Sequence, residues 1–174
     1  MIDVISFTDE KDKKLGTYFQ DSKNSLINNI GSLDDVCVLK EVGSEICSMS
    51  NVNQIMSNIN NKCICAVYTH GNSFAFMANG KSYITKENTL HFKDTFVYST
   101  ACLTARDIGK QLVDDGCLAF VGFKEESQVL CDPDYANVIM NCDQACLFAF
   151  LNDNINLKEA LKLAITYYNT QIEN

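Results

Sequence analysis

Tryptophan is absent from this sequence, proline occurs once and histidine twice. The single proline, Pro133, leaves almost the whole chain free of forced helix breaks and strand interruptions. With two histidines, any imidazole chemistry must fall to His70 or His91. No run approaches the roughly 20 consecutive apolar residues of a membrane span. The start, MIDVISFTDEKDKK, lacks the basic segment and apolar run of a signal peptide, so a soluble, cytoplasmic protein is expected, with no membrane partner. Basic residues are also outnumbered, 14 against 22 acidic, for a formal net charge of -8. The lysines are scattered rather than gathered into a stripe. Such a surface repels a phosphate backbone, which excludes nucleic acid as the expected partner.

Cysteine, by contrast, is plentiful. Nine thiols cannot all pair within one chain, and in a reducing cytosol they are expected to stay free. Cys63-x-Cys65 and Cys142-x-x-x-Cys146 look superficially like ligand pairs, but neither has the CxxC spacing of a zinc site. Both pairs occupy positions where small buried residues belong, and free cysteine packs as one. No metal and no cofactor is therefore expected.

A chain of 174 residues with 47% apolar content fits one domain, residues 1–174. Strand-like and helix-like patterns alternate along it. Ile2 to Phe7 predicts a first strand, and Leu15, Tyr18, Phe19, Leu26, Ile27 and Ile30 share one helical face that Gly31 ends. Val36 to Val42 predicts a second strand, and Val52, Ile55, Met56 and Ile59 a second helix. The third strand, Cys63 to Thr69, is nearly all apolar, as is Cys117 to Val121, which predicts strands buried on both faces of a parallel sheet. Asn79-Gly80 predicts a type I′ hairpin turn. Thr95 to Ser99 reads as a fourth strand, followed by a helix from near Leu103 to Gly116. Asp132 and Pro133 open a long helix. Asn156 and Glu159 open a last one, with a buried stripe of Leu157, Ala160, Leu161, Ala164, Ile165 and Tyr168. The expected architecture is α/β, a mostly parallel sheet flanked by helices on both faces.

Ligands bind at the carboxyl ends of strands in such sheets. His70-Gly71 follows the third strand and Thr100-Ala101-Cys102 the fourth, so both emerge at one edge if the strands are neighbours. A helix starting just after Cys102 would favour a thiolate there. An imidazole nearby could protonate a leaving amine and then activate water. The N–H groups of Gly71 and Cys102 could form an oxyanion hole. His91 lies at the opposite end of the fourth strand and reads as a surface residue. Asp9 and Glu10 follow the first strand at the catalytic edge and are candidate contacts for a substrate cation.

These blocks resemble the caspase-like cysteine peptidases, a group that includes caspases, gingipains, clostripain, separase and the CHAT domains. An apolar strand ending in His-Gly, here CICAVYTHG, precedes one ending in Ala-Cys, here FVYSTAC. LTARDIGKQLVDDGCLAFVGF and the tail NLKEALKLAITYYN are similar to CHAT domains in particular. The resemblance implies a caspase-like three-layer sandwich and a cysteine endopeptidase that cleaves protein substrates, with Cys102 as nucleophile and His70 as general acid and base. Clostripain-like members carry an Asp two residues before the cysteine, to bind a basic side chain on the acyl side. Thr100 stands here and becomes a candidate substrate contact.

Two other readings compete. One is a catalytically silent caspase-like adaptor. The other is a Rossmann-like ligand-binding module, against which stands the absence of a Gly-rich phosphate loop after the first strand. An open peptidase site needs restraint inside a cell. An activating partner protein or self-association is therefore expected to order the Asn79-Gly80 hairpin and the segment from Lys124 to Asp132.

Overall fold

The computed structural model describes residues 2–59, 61–127 and 133–173. The chain divides into two compact units, Met1–Ser127 and Gln128–Asn174. Every described strand lies in the first.

The first unit is built on five strands, β1 (Ile2–Thr8), β2 (Val36–Val42), β3 (Cys63–Tyr68), β7 (Phe96–Ser99) and β8 (Ala119–Val121). They run in the order β2-β1-β3-β7-β8, every neighbouring pair parallel. Parallel neighbours need crossovers, which α1 (Gly16–Ile30), α2 (Met49–Ser57) and α3 (Asp107–Asp114) help supply. Ile5, Phe7, Cys63, Cys65, Val67 and Val97 point to one face, where they meet Val52 and Met56 of α2 and Ile108 and Leu112 of α3. Residues of opposite parity, Val4, Ile64, Ala66 and Tyr68, are equally buried. They face the side on which α1 packs against β1, β2 and β3. Helices thus cover both faces, and the apolar run of β3 is buried throughout, as its composition predicts.

Between β3 and β7 lies a second, antiparallel sheet of β4 (His70–Asn72), β5 (Ala75–Ala78) and β6 (Lys81–Thr85), in that order. Asn79 and Gly80 take φ of 50° and 69°, the left-handed turn that this dipeptide permits. Phe76, Ala78, Tyr83 and Ile84 join the same core as α2 and α3. Truncating a buried ring such as Phe76 would cost about 3–5 kcal/mol.

Three expectations need correction. The apolar run Cys117 to Val121 is not buried on both faces: β8 is the sheet edge, its residues are half-buried and Leu118 is exposed. The helix expected after Cys102 begins only at Asp107. Leu103 has φ 63°, and the turn bonds sideways instead, Leu103 N–H to the Glu125 carbonyl at 3.3 Å and Ala105 N–H to the Phe123 carbonyl at 2.9 Å. Pairing with the segment after β8 replaces the first helical turn.

The second unit pairs α4 (Pro133–Asn152) with α5 (Leu157–Glu173). The expected cap Asp132 lies outside the described residues. Asn156 and Glu159 form the reciprocal capping box, with side-chain to N–H distances of 3.1 and 3.3 Å. The expected buried stripe of α5 is the third correction. Ala160 is buried, but Leu161, Ile165 and Tyr168 are exposed, as are Leu163 and Tyr167. Apolar residues lie almost all round this helix, and α4 alone cannot cover them. Among the described residues no helix is long and apolar enough to cross a membrane.

Candidate functional site

The central strands β3 and β7 are adjacent, with Val67 opposite Ser99. The segments leaving their carboxyl ends therefore emerge together at one sheet edge. His70 and Gly71 open β4 after β3, and Thr100, Ala101 and Cys102 come directly after β7. Thr100 N–H donates to the Val67 carbonyl at 3.1 Å, extending the pairing by one step.

Gly71 shows how close the two segments lie. A Cβ at that position would stand 2.5 Å from Thr104 Cγ2, 2.9 Å from Ala101 Cβ and 3.0 Å from the Cys102 carbonyl oxygen. Only a residue without a side chain allows this approach. The backbones carrying His70 and Cys102 are thus packed together, and among the described residues no hydrogen bond joins the imidazole to the thiol directly.

Each side chain has its own holder. His70 Nε2 lies 3.2 Å from Asp12 Oδ2, and the ring meets Phe19 edge-on with centroids 5.3 Å apart. Asp12 is itself fixed, its Oδ1 accepting from the N–H groups of Lys14 at 2.8 Å and Leu15 at 2.7 Å. Partial burial acts to raise the Asp12 pKa. The Leu15 and Lys14 N–H groups, and then the adjacent His70, outweigh it and hold the carboxyl below its ordinary value. Asp12 is therefore a carboxylate at neutral pH, in position to orient the ring. Cys102 Sγ is half-buried and accepts from Ser127 N–H at 3.3 Å. Among the described residues the Cys102 N–H donates to no acceptor.

The other candidate contacts separate. Asp9 is buried: Oδ1 accepts from Ser44 Oγ at 2.8 Å and Oδ2 from Asn79 N–H at 3.0 Å. Glu10 accepts from Ser44 N–H at 2.9 Å. These two carboxylates tie the end of β1 to the loop after β2, and Asp9 holds the hairpin tip as well. Thr100 is buried two residues before Cys102, its hydroxyl without a partner among the described residues. His91 pairs with Ser57 Oγ at 3.0 Å on an exposed surface just before β7, at the opposite end of that strand from Cys102.

The remaining thiols present a different chemistry. Cys47, Cys63, Cys65 and Cys117 are buried, and all eight described cysteines are free. Burial first, and then the carboxylates of Asp9 and Glu10, push Cys47 up to about 12. Cys37 is half-buried but donates to Asp3 Oδ1 at 3.3 Å, which raises its pKa. Among the described residues no group of three His, Cys, Asp or Glu side chains is placed to hold a metal ion. Sequence reasoning missed Asp12 and Ser127. Asp12 stands among several charges in SFTDEKDKK, and only the turn after β1 singles it out. Neither a protein-family model, nor a curated protein, nor a solved structure matches this chain.

Proposed function

We propose that this chain is a cysteine peptidase of caspase-like fold, acting on a protein or peptide substrate through Cys102 and His70. The observation that carries the reading is the close approach of Gly71 to the Cys102 backbone, which sets two strand ends side by side at one sheet edge. In this reading the Cys102 thiol gives its proton to His70, and the sulfur attacks the scissile carbonyl carbon. The oxyanion lies against the Gly71 and Cys102 N–H groups. His70 passes the proton to the leaving amine as the C–N bond breaks, leaving a thioester. Water, deprotonated by His70, then cleaves the thioester and restores the thiol.

Asp12 orients the imidazole throughout. Thr100 borders the substrate site, while Asp9 and Glu10 act through the loops they hold. No cofactor enters. A partner or self-association that orders the loops at this edge would switch the site on. The exposed apolar residues of α5 favour a second reading, a catalytically silent interaction module.

An electrophilic peptide probe separates the two. The peptidase reading requires labelling confined to Cys102 and abolished by unfolding. Uniform labelling, or labelling led by Cys37, would leave the interaction module.

A further inference from the structure

We propose that the cavity of about 520 Å³ beside β4 receives a basic side chain on the leaving-group side of a bound peptide. The inference rests on the peptidase reading and adds a substrate class to it. Asn72, Phe74, Ala75, Glu87, Asp107 and Ile108 are among the cavity's walls.

Its place is fixed by the chain. Asn72 stands two residues beyond His70 on the same strand, so the two share a face, opposite to that on which Gly71 meets Cys102. Ile108 N–H donates to the Ser73 carbonyl at 2.7 Å, which joins the turn after β4 to the start of α3. The cavity is therefore linked to His70 through Asn72 on the same strand, and to Cys102 through Asp107 at the start of the following helix. Direction comes from the chemistry: His70 must reach the leaving amine, so the leaving half of the substrate lies over His70 and continues along β4. At about 3.3 Å per residue, Asn72 is about 7 Å further on, level with the second residue after the scissile bond.

The lining selects the side chain. Ile108 and Ala75 are buried and give an apolar floor for an aliphatic stem, and Phe74, 71% exposed, offers an aromatic face to a cation. Glu87 follows β6 and Asp107 opens α3, so two carboxylates converge from different elements. Among the described residues neither makes an ion pair. Lys86 lies on the same rim, which leaves one net negative charge. Arginine or lysine satisfies floor, ring and carboxylates together, and glutamate is repelled.

Two measurements test this. In the first, a proteome-derived peptide library is digested and the new N-termini are read by mass spectrometry. Lysine and arginine should be enriched about threefold at the second residue, as a surface charge contact allows, and Glu87→Lys should abolish the enrichment. In the second, the Cys102→Ala chain is titrated with Gly-Arg-Ala amide and Gly-Glu-Ala amide while backbone resonances are followed. Shifts at Asn72, Phe74 and Ile108 should appear with the arginine peptide only. Cleavage with no basic preference and no such shifts would overturn the cavity's role and leave the peptidase intact. Shifts without any cleavage would keep the cavity and remove the peptidase.

Discussion

His70 and His91 each sit beside a polar partner, yet their surroundings differ throughout. His91 bonds Ser57 at an exposed position, and among the described residues no acid orients it. His70 stands at the carboxyl end of a buried parallel strand, with Asp12 on one nitrogen and Phe19 against the ring. A glycine beside it lets a second strand end approach within contact distance. The comparison teaches that a histidine near a nucleophile is common surface chemistry. What sets His70 apart as a candidate is the sheet edge, the anchored carboxylate and the close backbone approach.

The sharpest way to break this comparison is to remove each histidine in turn. His70→Ala and Cys102→Ala should each lower peptide cleavage by about 10³-fold or more, while His91→Ala and Ser57→Ala leave it within about twofold. The reverse ranking in kcat/KM would transfer the site to the other surface. Next in size is Asp12→Asn, expected to reduce kcat by about 10- to 100-fold, with KM nearly unchanged, because it removes orientation rather than contact with substrate.

Gly71→Ala comes third. Its methyl would collide with Thr104, Ala101 and the Cys102 carbonyl, so a denaturant midpoint should report a loss of about 1–3 kcal/mol, with activity reduced as the turn shifts. A fully stable, active Gly71→Ala chain would show that the two segments are looser than the packing implies.

The smallest effect concerns acid. The Asp12 carboxyl is held below its ordinary value in the folded chain, so its contribution to stability is present above the unfolded value. It is lost as pH falls through the folded one. Asp12→Asn should therefore flatten the acid limb of stability against pH slightly, and a steeper limb in that variant would contradict the proposed pairing.

Much of this arrangement is legible in the residues. The limits of β2, the apolar character of β3 and the Asn79-Gly80 turn come from alternation and turn chemistry, while the shared edge of His70 and Cys102 follows only once β3 and β7 are neighbours. Less visible is whatever depends on a neighbour distant in sequence. Cys117 to Val121 is as apolar as a central strand, but only the strand order reveals that no described strand pairs on its outer side. The residues after Cys102 carry helix-like spacing, yet pairing with Phe123 and Glu125 draws the first turn out of the helix. Asp12 is one acid among several until the Lys14 and Leu15 N–H groups turn its carboxylate toward His70.

The strand order also has a consequence for how the molecule is made. β1 leaves the ribosome before β2 and β3 but lies between them, with Asp3 opposite both Cys37 and Cys63. Its second partner is thus synthesised roughly sixty residues later, a long wait for an apolar strand, and non-local parallel pairing of this kind slows folding. Nascent chains stopped before β3 should expose that strand and bind chaperones, whereas those released beyond β7 can close the centre of the sheet.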